Sequence, residues 1–517
     1  MIFSRLFVLV ALCVAWLGIP ASARIIDISI IHTTDIHGHI WPTTDYDGRE
    51  NVGGILRLAT GIEAIRRETP NTLLIDCGDT FQGSPESYLT RGRLIIDALN
   101  HLNYDAWVLG NHEFDWGVNN LRALHDMAEV PFLAANLYFN PTEANWLPGI
   151  QPYVIREIDG IKVAIIGLVT PGIPRWSRPH LLQGAMFKSS VETLQNVMPE
   201  VKAKSPDIII VATHQGYKHR GDDFANQIQA IASTFPEIDV LLGGHSHVAI
   251  DDMRFGSVLY SQAGYHGIWL GRVDIQYDTV RGKVTSKSGR LEDMDESVPN
   301  HEGLLARWKK DLDKAEKELN RKIGETKIDL SSRPDPFGRS SVQQLISRAI
   351  KSGTDADLVL HGSLSDVTIP AGILKYRDIW KLVPYENTIG IASLTPRQIR
   401  EILTENFSRM LTPHTMGPAG FTFEIQRRNR AVQISNMRDD AGVPLHPRKR
   451  YRVAINSYVL ASGGERYLET RNLVELPEVR LQMLDVDTRS LVTEFIRKNS
   501  PITMSVIKPD EITETED

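Results

Sequence analysis

Five clusters of polar side chains each follow a short apolar run in the first half of the chain. They combine imidazole, carboxylate or carboxamide groups with glycine and lie at residues 32–38, 76–84, 110–115, 213–216 and 243–247. Imidazole nitrogens and carboxylate oxygens are ligands for divalent Mn, Zn, Fe, Co or Ni, and glycine lets a tight loop bring its backbone close to an ion. The pattern therefore indicates a metal site assembled from distant segments.

Each cluster alone also has an ordinary structural explanation. Asp35 and His37 could form a solvated turn, Asn111 could cap a helix, and Asp79 could belong to a plain turn. Five such clusters, each directly after an apolar run, are an improbable coincidence. We therefore favour a shared metal site over five unrelated turns.

The apolar runs are short and rich in Ile, Val and Leu, as is typical of strands buried on both faces of an α/β domain. They span residues 28–31, 72–75, 106–109, 162–168, 207–212 and 240–242. Helix-like stretches, including residues 53–67 and 93–102, lie between them. Because loops at the carboxyl ends of strands in an open sheet converge on one crevice, this arrangement would bring the five clusters together.

The length of 517 residues predicts more than one domain. Apolar residues recur at three- and four-residue steps from Leu304 to Leu319, which predicts an amphipathic helix between two domains. The predicted division is a signal peptide at 1–23, a catalytic domain at 24–300, a connector helix at 301–325, a second domain at 326–509 and an acidic tail at 510–517.

The N-terminus has the features of a secretory signal peptide. Arg5 precedes an apolar stretch at residues 6–19, and the small residues 21–23 form a typical cleavage site. The apolar stretch is short for a membrane span, so we expect an exported chain, periplasmic or secreted, without a stable membrane anchor; an uncleaved anchor is the alternative. Only Cys77 remains after cleavage, which excludes an intrachain disulfide and a cysteine metal cluster.

The formal net charge of −7 at pH 7 disfavours a nucleic acid polymer or an anionic membrane surface as the main partner. It also disfavours a nuclease, which would need a basic face for DNA. An anionic small-molecule substrate would therefore depend on locally placed arginines or metal ions.

The order of the clusters, D-x-H, G-D, G-N-H-E, H and G-H-x-H, resembles the calcineurin-like metallophosphoesterase superfamily. The fuller strings at residues 79–84, 110–115 and 243–247 resemble the 5′-nucleotidase family within it. This resemblance implies an α/β protein with an N-terminal four-layer αββα sandwich, a connector helix and a C-terminal α/β substrate domain of the 5′-nucleotidase type.

The resemblance also implies roles for the clustered residues. Two divalent metal ions would be held by seven ligands: Asp35, His37 and His247 for one ion, Asn111, His214 and His245 for the other, and Asp79 between both. A hydroxide activated by these ions would attack phosphorus in line. Asn111 would also contact substrate, and His112, oriented by Asp115, would stabilise the transition state or protonate the leaving group.

The second domain resembles the nucleoside-binding domain of the family in part. Residues 381–388 are similar to its Pro-Phe-Gly-Asn-type segment, and residues 456–464 are similar to its Asn-x-Phe-Leu-Ala-x-Gly-Gly-Asp-Gly segment. Tyr458 would then be one of two rings that stack on the base. The position of the other ring corresponds to Ile389.

A segment that binds phosphate in the family differs in this chain. Residues 361–366 lack the expected arginine and include Asp366. Candidate replacements are Arg333, Arg339 and Arg466. The metal chemistry is therefore expected to be intact, whereas recognition of the nucleotide is expected to be altered.

These features predict a dinuclear phosphoesterase for a small-molecule phosphate ester, with nucleotide hydrolysis of the 5′-nucleotidase type, as in nucleotide catabolism, as the main hypothesis. The same metal chemistry could instead act on cyclic nucleotides, nucleotide sugars, other phosphomonoesters or a sulfur ester, as in the sulfate thiohydrolase relatives. A non-catalytic binding protein is the third hypothesis, but it predicts eroded ligands and all seven positions keep ligand-type residues. The sequence predicts no oligomeric state.

Overall fold

A computed structural model describes residues 24–138, 149–177, 179–409, 411–428, 431–462 and 466–507. The predicted signal peptide at 1–23 and the predicted acidic tail at 510–517 lie outside these residues. Within the described ranges, none of the helices combines the length and the apolar character needed to cross a membrane.

Two sheets packed face to face form the centre of the N-terminal region. Its strands are β1 Ile25–Thr33, β2 Thr72–Asp76, β3 Ala106–Val108, β4 Phe132–Leu133, β5 Leu137–Tyr138, β6 Tyr153–Ile158, β7 Ile161–Leu168, β8 Met186–Phe187, β9 Ile208–Thr213, β10 Val240–Gly243, β11 Ala249–Phe255, β12 Val258–Ala263, β13 Trp269–Asp278 and β14 Lys283–Asp293. One sheet has the order β14-β13-β1-β2-β3-β4 and the other β11-β12-β10-β9-β7-β6. Side chains from both, including Ile30, Ile75, Ile165 and Leu242, fill the space between them.

Helices cover the outer face of each sheet. They are α1 Ile55–Glu68, α2 Pro85–Leu89, α3 Arg93–His101, α4 Val118–His125, α5 Ile173–Trp176, α6 Pro179–Leu182, α7 Ser190–Ala203 and α8 Ile228–Thr234, with a 3-10 turn at His112–Phe114. Residues of α1, α3 and α4 share a core with the first sheet, and residues of α7 and α8 share one with the second. The layers are therefore helix, sheet, sheet and helix, which confirms the predicted αββα sandwich.

The strands that lead to the polar clusters are buried along almost their whole length. All residues of β3, β9 and β10 are buried, and so are all but the first of β2. Helices cover one face of these strands and the opposite sheet covers the other, which explains their continuous apolar sequence. By contrast, β14 is partly exposed throughout, and its polar sequence gives no clear strand signal.

The C-terminal region is built around its own mixed sheet, with the order β21-β17-β24-β20-β25. Apolar cores lie on its two faces. From the connector onwards, the elements are α9 Glu302–Leu319, β15 Lys322–Thr326, β16 Leu330–Ser331, α10 Ser341–Gly353, β17 Leu358–His361, β18 Thr368–Ile369, β19 Gly372–Lys375, α11 Tyr376–Leu382, β20 Thr388–Leu394, α12 Pro396–Phe407, β21 Gly417–Ala419, β22 Phe421–Arg428, β23 Ala431–Asp439, β24 Tyr451–Asn456, α13 Ser457–Leu460, α14 Leu468–Val474, a 3-10 turn at Pro477–Val479, β25 Gln482–Asp487 and α15 Thr488–Asn499.

The connector helix α9 packs against the N-terminal region. Leu304 and Trp308 belong to the core that α1 and α3 share with the first sheet. The helix ends at Leu319, earlier than the predicted connector, because β15 begins at Lys322 and pairs with β19 of the C-terminal region. The connector is therefore a helix fixed to one region and followed directly by a strand of the other.

A polar contact reinforces the attachment of α9. The Trp308 ring is 1% exposed, and its Nε1 group donates a hydrogen bond to Asp97 Oδ2 of α3 at 2.7 Å. Arg307 donates two hydrogen bonds to the same carboxylate, each at 2.6 Å. Because the Arg307 side chain is 58% exposed, solvent weakens this ion pair, and the buried indole ring contributes more to the attachment.

Replacing Trp308 tests this account of the connector. We expect Trp308→Ala to lower the free energy of unfolding by about 3–5 kcal/mol, because it leaves a large cavity in a closed core. The matched control on the same helix is Arg307→Gln, which should change it by less than about 1 kcal/mol. Urea denaturation followed by fluorescence and circular dichroism measures both. A Trp308→Ala loss no larger than that of the control would show that α9 is not anchored through this ring.

Candidate active site

The loops that carry the five clusters meet at one end of the sandwich. β1, β2 and β3 are parallel neighbours in the first sheet, and β9 and β10 are parallel neighbours in the second. The loops after their carboxyl ends bring residues of both sheets into contact, as expected for this kind of sheet. Two groups of potential metal ligands result.

The first group consists of Asp35, His37 and His247, whose ligand atoms all lie within 4.8 Å of one another. The Nε2 atoms of His37 and His247 are 3.0 Å apart, and His247 Nε2 is 3.3 Å from Asp35 Oδ1. Asp35 is fully buried and His37 nearly so. Three lone-pair-bearing atoms so close together, with little water to solvate them, favour a bound cation.

Hydrogen bonds to the other ring nitrogens fix the orientation of these histidines. His37 Nδ1 lies 3.1 Å from the backbone carbonyl of Gln82, which can only accept, so Nδ1 carries the proton and Nε2 keeps a lone pair. His247 Nδ1 lies 2.9 Å from the Tyr46 hydroxyl. Such partners of the second nitrogen are characteristic of metal-bound histidines.

The second group consists of Asp79, His214 and His245, also within 4.8 Å of one another. His214 Nε2 is 3.0 Å from Asp79 Oδ2, and its Nδ1 group lies 2.8 Å from the backbone carbonyl of Cys77. The Trp176 ring stacks on His245 at a centroid distance of 5.0 Å. All of these groups belong to the N-terminal region.

Asp79 lies between the two groups. Its Oδ2 atom is 3.0 Å from His214 Nε2 in the second group and 3.9 Å from His37 Nε2 in the first. Asn111, the remaining predicted ligand, is 7% exposed, and its Oδ1 atom has no hydrogen-bond partner among the described residues. A buried amide oxygen without a partner is costly, so it fits a site in which this atom binds a cation.

The predicted catalytic pair lies beside Asp79. His112 Nδ1 is 2.6 Å from Asp115 Oδ2, and His112 Nε2 is 3.9 Å from Asp79 Oδ2. Burial opposes protonation of His112, but the negative charges of Asp115 and Asp79 outweigh it and raise its pKa to about 10. These two carboxylates therefore favour the protonated form of His112, which can donate a hydrogen bond from Nε2.

The pKa values of three other residues favour the forms that bind cations, whereas that of His214 does not. Burial lowers the pKa of His37 and of His245 to about 3. Burial opposes ionisation of Asp79, but the charges of His214 and His112 outweigh it and hold its pKa well below the usual range. Burial also acts against His214, whose pKa nevertheless rises to about 9, chiefly through the charge of Asp79. A cation in the first group therefore meets the neutral imidazole of His37. A cation in the second group meets the ionised Asp79 and the neutral His245, but it competes with the proton on His214.

The ligand loops have an unfavourable backbone conformation. Asp35, His37, Asp79, His245 and His247 all have φ between 49° and 68°, a region that residues other than glycine rarely adopt. Each such residue costs about 1–3 kcal/mol unless the surrounding structure enforces it, and such residues cluster at functional sites. This shared conformation gives five of the seven predicted ligands a common geometric signature.

Glu113 enforces part of this geometry, although the sequence predicted no role for it. Its buried carboxylate accepts hydrogen bonds from the backbone N–H groups of Asp79 and Thr80, each at 2.8 Å, and of Gly110 at 2.6 Å. It thereby joins the loops after β2 and β3. A side chain at Gly110 would place its Cβ 2.2 Å from Asp79 Oδ1, so this close approach requires glycine. The only sequence signal for Glu113 is its place in the G-N-H-E string.

The C-terminal region faces this site with aromatic side chains. Tyr458 is 38% exposed and Tyr385 is 42% exposed. The Tyr458 hydroxyl accepts a hydrogen bond from Arg466. Ile389, the position predicted for the second stacking ring, is fully buried in the core behind β20. Tyr385, and not residue 389, is therefore the second exposed ring in this part of the region.

Comparison with known proteins agrees with this geometry. Residues 28–249 match the family described as calcineurin-like phosphoesterase, and residues 322–470 match the family described as 5′-nucleotidase, C-terminal domain. Protein UshA of Escherichia coli (strain K12) is 26% identical over 533 residues, which cover 93% of this chain and 93% of that protein. A 5′-nucleotidase of Vibrio vulnificus (strain CMCP6) is 25% identical over 533 residues, which cover 93% and 92%.

A solved structure extends the similarity to the fold. The crystal structure of a putative 5′-nucleotidase from Staphylococcus aureus, in complex with alpha-ketoglutarate, has a TM-score of 0.79 and 22% sequence identity over 94% of this chain and 99% of that chain. The two regions thus follow one another as in these proteins. The alignment with UshA covers 93% of this chain and the structural match covers 94%. The protein is a hydrolase that combines a calcineurin-like phosphoesterase domain with a C-terminal domain of the 5′-nucleotidase type.

Proposed function

We propose that this protein is an exported phosphoesterase that hydrolyses nucleotides at a centre of two divalent metal ions. The position of Asp79 between two groups of histidine and aspartate ligands, with the His112–Asp115 pair beside it, carries the proposal. The nucleotide part draws support from the names of the similar proteins and from the exposed rings of the C-terminal region. The export part is supported by the signal-peptide features at residues 1–23.

The seven predicted ligands would hold the ions, with Asp79 shared. Manganese, zinc, iron, cobalt and nickel are all compatible with these nitrogen and oxygen donors. When bound, two such ions would supply a nucleophile at neutral pH and neutralise charge on the phosphoryl group. The buried carboxamide of Asn111 would turn its oxygen to an ion and its N–H₂ group to a phosphate oxygen.

His112 would act on the other side of the reacting phosphorus. Asp115 holds Nδ1, so Nε2 is the atom that points a proton into the site. At neutral pH this imidazolium would donate a hydrogen bond to a phosphoryl oxygen as charge develops, or transfer its proton to the leaving oxygen. Both roles require the positive charge that Asp115 stabilises through its contact with Nδ1.

Recognition of the substrate would come from Tyr458 and its neighbour Arg466. The Arg466 guanidinium carbon is 5.5 Å from the centroid of the Tyr458 ring, so a cation and a stacking surface lie side by side. Arg339, another candidate for the missing phosphate-binding arginine, is held by Asp335 at 2.8 Å. We favour Arg466 as the replacement because it lies beside Tyr458.

A phosphate ester other than a nucleoside monophosphate is the second candidate substrate. Within residues 361–366, His361 is fully buried and Asp366 is exposed and acidic, so this segment presents no cation to a phosphate. Cyclic nucleotides, nucleotide sugars, other phosphomonoesters or a sulfur ester thus remain alternatives that the same metal chemistry would serve.

The role of His112 is tested by separating turnover from metal binding. We expect His112→Ala to lower kcat by about 100-fold or more, because a positioned proton donor is lost, while both ions stay bound. The exposed His219 of the same region offers a control, and His219→Ala should keep kcat and metal content. Steady-state kinetics and elemental analysis measure the two quantities. Near-normal turnover in His112→Ala would overturn the assignment.

The nucleotide hypothesis is tested with a panel of nucleoside 5′-monophosphates, cyclic nucleotides, nucleotide sugars and an alkyl phosphate. We expect Tyr458→Ala to raise KM for nucleoside 5′-monophosphates roughly 10-fold, because stacking on the base is lost, and to leave KM for the alkyl phosphate unchanged. Tyr458→Phe, which keeps the ring, is the matched control.

Hydrolysis of the alkyl phosphate alone by the unmodified enzyme would contradict nucleotide specificity. No hydrolysis of any compound with both ions bound would contradict the catalytic proposal.

A further inference from the structure

A short loop of the C-terminal region, residues 384–387, joins α11 to β20 and reaches the metal centre. We name it the docking loop. The backbone carbonyl of Asn387 accepts hydrogen bonds from the N–H and hydroxyl groups of Thr488, each at 2.9 Å. The next residue, Thr388, donates its N–H to the Ser457 hydroxyl at 3.1 Å. These contacts fix the end of the loop to α15 and α13 of its own region.

Glu386 of the docking loop is also held from its own side. Arg489 donates a hydrogen bond to Glu386 Oε1 at 3.0 Å and another to the carbonyl of Val383 at 2.9 Å. The Arg489 guanidinium carbon lies 3.2 Å from the centroid of the Trp380 ring, and its side chain is 3% exposed. The Glu386 carboxylate therefore has a defined position, and it cannot move without leaving a buried arginine unpaired.

A first relay runs from Glu386 to the first group of metal ligands. The side-chain amide of Gln82, which is buried, donates a hydrogen bond to Glu386 Oε2. The backbone carbonyl of the same Gln82 accepts the proton of His37 Nδ1 at 3.1 Å. The docking loop thus holds the residue that orients His37.

A second relay runs from Tyr385 to the same group. The Tyr385 side chain lies beside the Tyr46 hydroxyl, and the Tyr46 hydroxyl is 2.9 Å from His247 Nδ1. Tyr46 can donate its proton to Tyr385 while accepting the Nδ1 proton of His247, which leaves His247 Nε2 free to bind a cation. Tyr46 also stacks on Tyr265 at a centroid distance of 4.2 Å, so its ring is supported from the N-terminal region.

The second group of ligands has its orienting contacts in the N-terminal region. His214 is held by the Cys77 carbonyl at 2.8 Å, and His245 is covered by the Trp176 ring. The two ion positions therefore differ: both histidines of the first group are connected to the docking loop through one intermediate residue each. A Phe-Gly pair at positions 385–386, as in the segment that the loop resembles, would carry neither the hydroxyl nor the carboxylate that makes these relays.

We propose that the docking loop is a positioning element that selectively strengthens binding of the first ion, the one held by Asp35, His37 and His247. The proposal rests on the dinuclear centre of the proposed function. Hydrogen bonds to the second nitrogen of a ligand histidine fix its tautomer and orientation, and their loss weakens metal binding by roughly 10- to 100-fold. Because coupling between two sites is reciprocal, the first ion in turn stabilises the contact between the two regions.

The test is a titration of the metal-free full-length chain with Mn²⁺ by calorimetry, without substrate. The variants His37→Ala and His214→Ala identify which binding step belongs to which ion. We expect the double variant Tyr385→Phe/Glu386→Ala to bind the first ion roughly 10-fold more weakly, and the second ion within about twofold of the unmodified chain. Glu386→Gln keeps an acceptor for Gln82, and Tyr385→Phe/Glu386→Gln should recover part of the lost affinity.

Tyr153→Phe is the matched control, because it removes the hydroxyl of another partly exposed tyrosine, which bonds Glu200, and it should leave both affinities unchanged. Unchanged affinity for the first ion in the double variant would overturn the proposal, and so would an equal loss at both ions. Glu386→Ala could fail to fold because Arg489 is left unpaired. In that case Tyr385→Phe alone is expected to weaken binding of the first ion about threefold, and an unchanged affinity for that ion would overturn the proposal. A chain that binds both ions as expected but hydrolyses no phosphate ester would contradict the proposed function and leave this coupling standing.

Discussion

The buried charge of Asp79 is the constraint around which the site is built. An ionised carboxylate at 2% exposure costs several kcal/mol in lost hydration unless cations and hydrogen-bond donors compensate for it. The structure surrounds it with His214, His37 and His112, and Glu113 holds the backbone of its loop. Four further ligands share its left-handed backbone conformation, and only loops fixed between two closely packed sheets can keep so many residues in that state. A divalent cation at each side of Asp79 would relieve the largest part of this electrostatic cost.

The two regions of the molecule contribute different parts of the proposed chemistry. The sandwich supplies the seven predicted ligands and the His112–Asp115 pair, all on loops at one end of two buried sheets. The C-terminal region supplies the exposed rings of Tyr385 and Tyr458, the cation of Arg466 and the docking loop. Tyr385 lies near Tyr458 of its own region and near Tyr46 of the other. The proposed substrate recognition and the proposed metal binding would therefore meet at this residue.

The sequence predicts the ligand residues of the site better than the residues that hold those ligands in place, and the reason is physical. The ligands of the site are side chains of characteristic type, placed at the ends of continuous apolar strands, so both the residue type and the element that positions it leave a local signal. The carbonyl groups of Cys77 and Gln82 that orient His214 and His37 carry no such signal, because every residue has a carbonyl. Tyr46, Glu386 and Arg489 act through contacts between segments that are about a hundred or more residues apart. The position of the second ring was matched to Ile389, which is buried, because a loose similarity does not fix which residue at a strand end is exposed. The polar strand β14 forms by pairing with β13, and α9 ends early because β15 pairs with β19. Neither pairing leaves a local signal in the sequence.

The central claim is that these ligands hold two ions with Asp79 shared between them. Anomalous diffraction from crystals of the full-length protein loaded with Mn²⁺ tests it directly, because the signal locates each ion without reference to activity. We expect two anomalous peaks about 3.5–4 Å apart, one among Asp35, His37 and His247 and one among Asn111, His214 and His245, with a carboxylate oxygen of Asp79 between them. A single peak at saturating Mn²⁺, or two peaks that Asp79 does not join, would contradict the account.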